Sequence, residues 1–288
     1  MKKILLVLFL VVLTVGAEVI NVHIMSGQSN MSGYGKFHKS EEYESQPEVD
    51  ESIAYYYHID PTTRNWTTTS FENLKEFYDK AVLSGYVRKF GCEVAYGRAL
   101  AEYDDTGSVA IIKVSQGSST LAVDWNSRSG AENMWSVWKR EVSAALTELT
   151  DGGNEVNIAS IIWLQGENDS KVEDYANAYR INFSNMVEDM FDHISSAGYD
   201  TDDALFMTAS FSEHKDNLLY RDIVSSAQIE VMESQDNYFY VDTRDISQVG
   251  TFPELFITDE NIHWDGEGQK IIGERLSRKY LSKKKVTF

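Results

Sequence analysis

Short apolar runs alternate along this chain with segments of helical period, and that alternation points to a parallel α/β sheet. Residues 19–25 (VINVHIM), 108–114 (SVAIIKV), 156–164, 204–209 and 238–242 read as five strands. Between and after them, residues 93–103, 133–149, 173–196, 218–233 and 266–281 read as helices. The most regular is 173–196, where Tyr175, Ala176, Tyr179, Phe183, Met186, Val187, Met190 and Ile194 recur at i, i+3, i+4 spacing. Right-handed crossovers leave few topologies for such a series. The expected fold is a three-layer α/β/α sandwich of flavodoxin-like type around a central five-stranded parallel sheet. Its ligand site is then expected outside the carboxyl ends of the strands, at the switch point beside the first strand.

With 288 residues, 42% of them hydrophobic, the chain can bury one sizeable core. It has only 3 prolines and no linker-like stretch, so residues 18–288 are expected to form a single domain. Residues 37–90 are polar and aromatic with little periodicity, and read as an insertion in that domain, a functional excursion or lid. The first 17 residues read as a signal peptide: Lys2 and Lys3 precede an apolar run over residues 4–15, and Val15-Gly16-Ala17 offers small residues for cleavage. That run is short for a membrane span, although an uncleaved anchor is the alternative. Cys92 is the only cysteine, which excludes an intramolecular disulfide and a thiolate metal cluster. It reads as a small core residue, and the absence of disulfides in an exported chain suits a periplasmic or secreted bacterial protein. The formal charge of -19 argues against nucleic acid and anionic membrane surfaces as partners, and favours neutral or weakly charged substrates.

The loops that follow the first three strands are polar and carry glycine. Ser26-Gly27-Gln28-Ser29-Asn30 follows the first, Gln116-Gly117-Ser118-Ser119 the second, and Gln165-Gly166-Glu167-Asn168-Asp169 the third. A serine presented at that rim needs a base, usually a histidine oriented by a carboxylate. Of the six histidines, His23 lies inside the first strand and reads as a core residue. His263 stands in Asp259-Glu260-Asn261-Ile262-His263-Trp264, after the fifth strand and before the last helix, on the same rim. Glu260, three residues earlier, has the spacing to orient the imidazole within one short turn. Asp259 is one residue too early but serves if the loop is bulged. A calcium loop starting at Asp259 fails, because its sixth and twelfth places hold Trp264 and Lys270 rather than Gly and Glu. No metal or other cofactor is expected. An oxyanion needs donors, and the backbone N–H groups of Ser29 and Gly117, with a side-chain amide from Gln165 or Asn168, are the candidates.

These blocks resemble those of the SGNH hydrolases, in particular the branch of sialate O-acetylesterases and acetylxylan esterases. The resemblance is carried by GQSNMSG around Ser29, by residues 116–121, by Trp163-Leu164-Gln165-Gly166-Glu167-Asn168-Asp169, by the terminal acid-to-histidine block, and by residues 91–102. It spans about residues 19–281. It implies that Ser29 is the nucleophile, His263 the base and Gly117 part of the oxyanion hole, with Gln165 first and Asn168 second as the amide donor. The family usually has Asp three residues before the histidine, and here that place is Glu260. The resemblance further implies that Glu167 supports the site through hydrogen bonds, with Gln28 and Asn30 as substrate-contacting or supporting residues of the first block.

The activity so expected is removal of O-acetyl groups from a carbohydrate through an acetyl-serine intermediate. Trp125, close after the second block, is placed to stack on a sugar ring. The rival readings are a carbohydrate-binding protein without catalysis, and a lipid esterase or thioesterase of the same superfamily.

Overall fold

The computed structural model describes residues 17–33, 35–38, 49–59, 66–75, 86–102, 107–211, 218–246, 263–264 and 266–284. Residues 1–16 of the expected signal peptide, and both candidate acids, Asp259 and Glu260, lie outside the described residues. In chain order the elements are β1 (Val19–Gly27), α1 (Ser29–Ser32), β2 (Gly35–His38), β3 (Val49–Ile59), β4 (Trp66–Thr67), β5 (Glu72–Lys75), β6 (Tyr86–Phe90) and α2 (Glu93–Ala101). They continue as β7 (Ser108–Ser115), α3 (Met134–Asp151), β8 (Glu155–Leu164), α4 (Glu173–Ser196), β9 (Leu205–Ala209), α5 (Arg221–Met232), β10 (Tyr238–Val241) and α6 (Gly266–Lys284).

Among the described residues the main sheet has eight strands and runs β10-β9-β8-β1-β7-β3-β4, with β5 also paired to β3. The five expected strands are β1, β7, β8, β9 and β10, and all pair in parallel. The five-strand count is corrected by β3, a sixth parallel strand, which pairs with β7 from Ile53↔Val109 to Ile59↔Ser115. It lies within the stretch read as an aperiodic insertion. Its apolar side chains do not alternate with polar ones, because Ile53, Tyr55, Tyr56, Tyr57 and Ile59 are all buried. A strand covered on both faces has no period of two to detect. The antiparallel strands β4 and β5 then flank β3, and β2 pairs with β6 in a separate two-stranded sheet.

Successive residues of β1 point to opposite faces, and the contacts identify which helices cover each. On one face His23 meets Tyr96 of α2 and Tyr280 of α6. On the other, the Trp138 indole of α3 donates to Ser26 Oγ at 2.9 Å. On that same face Trp163, paired with Ser26, donates to the Tyr179 hydroxyl of α4 at 3.3 Å. Helix α5 packs on α4. Helix α4 spans the residues expected and buries seven of the eight expected apolar positions, leaving Tyr175 half-buried.

His23 is fully buried, with Nδ1 2.8 Å from Ser160 Oγ and 2.9 Å from the Tyr96 hydroxyl. Burial, with Lys284 adding to it, lowers its pKa to about 3, so it stays neutral inside the sheet. Cys92 is buried too, and desolvation pushes its thiol up to about 12, which suits a core residue and no nucleophile.

The chain runs from β7 on one side of β1 to β8 on the other. The order therefore reverses beside β1, and the crevice between the carboxyl ends of β1 and β8 is the place where such sheets bind ligands.

Candidate active site

Register brings the three glycine-bearing loops to one level. Gly27 pairs with Ser115 of β7 and with Leu164 of β8, so the residues that follow all emerge on one rim. The ladder continues past the strands: Gln28 N–H donates to Leu164 O at 2.9 Å, and Gln116 N–H to Gly27 O at 3.1 Å. Gly27 adopts φ +148°, and a Cβ there would stand 2.1 Å from Leu164 O. Only glycine lets β1 turn so tightly against β8. Ser29 follows as the first residue of α1, and its Oγ lies 2.8 Å from His263 Nε2, across 234 residues of sequence. The side chain is largely buried. The first-turn N–H of such a helix has no intrahelical acceptor, so Ser29 N–H is available for a ligand oxygen on this side.

Asn30 is the joint between the serine and histidine segments. It is fully buried, and its Nδ2 donates to Glu167 Oε1 at 2.5 Å while its Oδ1 accepts the backbone N–H of Trp264 at 3.3 Å. Its carbonyl accepts from Gln269 Nε2 of α6 at 3.1 Å. Of the two roles expected for Asn30, the geometry gives support. Gln28 is likewise buried, and its Oε1 accepts the Asn168 N–H at 3.4 Å. Burial raises the Glu167 carboxyl to about 7, against the opposing hydrogen bonds from its own backbone and from Asn30. Near neutral pH this acid titrates beside the Ser29 segment.

The two amides of the third block part company. Gln165 is buried, and both hydrogens of its Nε2 are committed, to Asp169 Oδ2 at 2.5 Å and to Ser119 O at 3.2 Å. Its Oε1 accepts the Tyr179 hydroxyl at 3.0 Å. An amide so occupied has no hydrogen left for an oxyanion, which corrects the expectation that placed Gln165 first. Asn168 is half-buried; its Oδ1 accepts from Lys171 Nζ at 2.6 Å, and among the described residues its Nδ2 has no acceptor.

Asp169, which sequence reasoning assigned no role, is the anchor between loops. Its carboxylate accepts Leu121 N–H at 2.8 Å, Ala122 N–H at 3.0 Å and Gln165 Nε2. Burial lifts it to about 6 in spite of these donors. The loop after β7 is thereby tied to the loop after β8. Its available signal was position: an acid four residues after Gln165 at the end of a buried strand.

Gly117 and Ser118 form the turn that opens the β7 loop, and Ser118 takes the left-handed conformation at φ 59°. The expectation for Trp125 is corrected. It is fully buried, donates from its indole to Ser119 Oγ at 2.8 Å and stands edge-on to Trp163 with ring centroids 5.0 Å apart. It braces the loop from beneath and offers no face to a sugar. A cleft of about 480 Å³ opens beside Gln116, lined in part by Ala122, Val123, Glu132 and Val137.

A sequence profile described as carbohydrate esterase, sialic acid-specific acetylesterase matches residues 19–282. No curated protein sequence gives a significant match. Among solved structures, NanS superposes with a TM-score of 0.66 at 16% identity, covering 93% of this chain and 98% of its own. A protein from Arabidopsis thaliana gives 0.63 at 18% identity, covering 93% and 99%. A lipase from a goat rumen metagenome gives 0.50 at 12% identity, covering 90% and 97%. At these identities the likeness is one of fold.

Proposed function

The chain belongs to the carbohydrate esterase, sialic acid-specific acetylesterase family, and from that premise we propose that it is a serine esterase removing O-acetyl groups from a carbohydrate. The observation that carries the reading is the 2.8 Å contact between His263 Nε2 and Ser29 Oγ. It has the length at which an imidazole takes a hydroxyl proton.

In this reading Ser29 Oγ attacks the acetyl carbonyl as its proton passes to His263 Nε2. Ser29 N–H, Gly117 N–H and Asn168 Nδ2 are the donors assigned to the oxyanion, a preorganised set on a rim held by buried bonds. The imidazolium returns its proton to the sugar oxygen as the C–O bond breaks, leaving acetyl-Ser29. Water, deprotonated by His263, then attacks the acetyl carbonyl; as the bond to Ser29 Oγ breaks, the imidazolium gives its proton to Oγ and acetate leaves. Glu260 is assigned to the second imidazole nitrogen, with Asp259 as the alternative. The signal-like first 17 residues support an exported, secreted or periplasmic enzyme.

The test is a panel of acetylated xylan, O-acetylated sialic acid and longer acyl esters, assayed for released acid, with Ser29→Ala as control. Acetate from an acetylated glycan, lost in the control, is the expected result. Release confined to long acyl esters moves the assignment to lipid substrates, and release by Ser29→Ala at the parent rate removes Ser29 from the chemistry.

A further inference from the structure

Beneath the nucleophile turn lies a charged pair that the chemistry above does not use. Lys113 of β7 and Glu93, the first residue of α2, meet with Nζ 2.7 Å from Oε2, and both side chains are wholly excluded from solvent. The sheet site occupied by Lys113 lies between Met25 of β1 and Tyr57 of β3, two buried residues. An apolar side chain would suit that site. Burying an ion pair in such a place commonly adds nothing to stability relative to well-packed apolar residues, so its presence asks for another role.

Its contacts indicate which. Lys113 Nζ also reaches Ser32 O, the last carbonyl of α1, at 3.4 Å, and Ser32 Oγ donates to Ser115 Oγ at 3.1 Å. Glu93 Oε1 accepts the Gly91 N–H at 3.1 Å. Gly91 is wedged between the pair and α1. A Cβ on it would lie 2.4 Å from Glu93 Oε2, 2.9 Å from Lys113 Nζ and 3.1 Å from Met31 O. On the other side, Gly33 closes α1 with φ +92° and abuts Gly91, where a Cβ would meet Gly91 N at 2.5 Å. The pair thus holds both the carbonyl end of α1 and the strand of backbone against which α1 rests. Helix α1 is a single turn, closed by two bonds, Ser32 N–H to Gln28 O at 2.8 Å and Gly33 N–H to Ser29 O at 3.1 Å. So short a helix has little stability of its own, and its orientation must come from what it sits on.

We propose that Glu93 and Lys113 are positioning residues that set the orientation of α1, and through it the placement of Ser29 Oγ against His263. This rests on the reading of Ser29 as nucleophile. It also gives a role to the Gly91-Cys92-Glu93 block, which otherwise has none in the site.

The test uses the double variant Glu93→Gln with Lys113→Met, so that neither charge is left buried alone, and a second, Glu93→Leu with Lys113→Met. For each, kcat and KM on a small acetyl ester, the rate of labelling by a serine-directed phosphonate, and the melting temperature are measured beside the parent and Ser29→Ala. The expected result is a folded variant with nearly unchanged KM, and with kcat and labelling rate both lowered about 10- to 100-fold, the size of effect that misplacement of a reacting group produces. A purely structural pair would lower the melting temperature and leave both rates intact at a matched folded fraction, which overturns the proposal. Failure of both double variants to fold overturns it as well, since the pair is then a requirement of the fold. Ser29→Ala separates the two readings: parent-like turnover in that control removes the nucleophile assignment, whatever the pair does.

Discussion

The loops after β1, β7 and β8 are tied to one another by hydrogen bonds through Gln28, Gln165 and Asp169, whereas the histidine segment joins them at Ser29 and at Asn30. The serine side is thus an extension of the sheet, with its register and rigidity. The histidine side is docked onto it by Asn30, the residue next to Ser29. In the proposed mechanism, catalytic geometry depends on two things of different kind: a preorganised rim, and an attachment that brings His263 to it.

The comparison can be broken most completely at its contact point. Ser29→Ala is expected to lower kcat by at least about 10³-fold, and His263→Ala by a similar factor, with the double variant no worse than either single one. Steady-state kinetics on one acetyl ester checks all three. Detaching the base while sparing it comes next. Asn30→Ala removes the acceptor of Trp264 N–H and the donor to Glu167, and is expected to lower kcat about 10²-fold with a smaller change in KM.

Within the rim, the two amides should separate activity from stability. Asn168→Ala is expected to cost about 10²-fold in kcat at an unchanged melting temperature. Gln165→Ala empties a buried hub and is expected to destabilise the fold by about 2–4 kcal/mol in chemical denaturation. A stable, inactive Gln165→Ala protein would reverse their assignments.

The last effect is one of pH, comparable in size to the loss of Gln165 but spread over a range of pH. Glu167 is raised by burial to about 7 in the folded protein, so between its ordinary value and 7 the folded state binds more protons than the unfolded one. Stability from this group is therefore complete at low pH and lost as pH rises toward 7, by an amount on the order of 3 kcal/mol. Glu167→Gln keeps the acceptor for Asn30 and removes the titration. Its unfolding free energy relative to the parent is expected to grow from pH 5 to pH 8 and level off above. A constant difference across that range would show that Glu167 does not titrate there.

Much of this arrangement was legible in the sequence, for definite reasons. Helix α4 covers one face of the sheet and so keeps a clean i, i+3, i+4 stripe. The rim loops carry residue types, Gly beside Ser, Gln or Asn, that mark strand ends. Strand β3 was missed because Tyr55, Tyr56 and Tyr57 are all buried and leave no alternation to read. Trp125 and Gln165 were placed near the rim correctly but aimed wrongly. Proximity in sequence locates a side chain to within a loop, while its direction depends on partners such as Ser119, Tyr179 and Asp169, which arrive from other elements. The Asn30 bridge was hidden for the same reason, since Glu167 and Trp264 come from distant parts of the chain.

The 234-residue separation between Ser29 and His263 has a consequence for how the enzyme comes into being. Contacts of such long range close late, after more local structure has met much of the entropic cost. A growing chain carries Ser29 from the first strand onward yet acquires His263, its proposed base, only when the segment before the last helix has emerged and docked. Recovery of esterase activity during refolding would then report this final docking event, lagging behind the spectroscopic signals of sheet and helix formation.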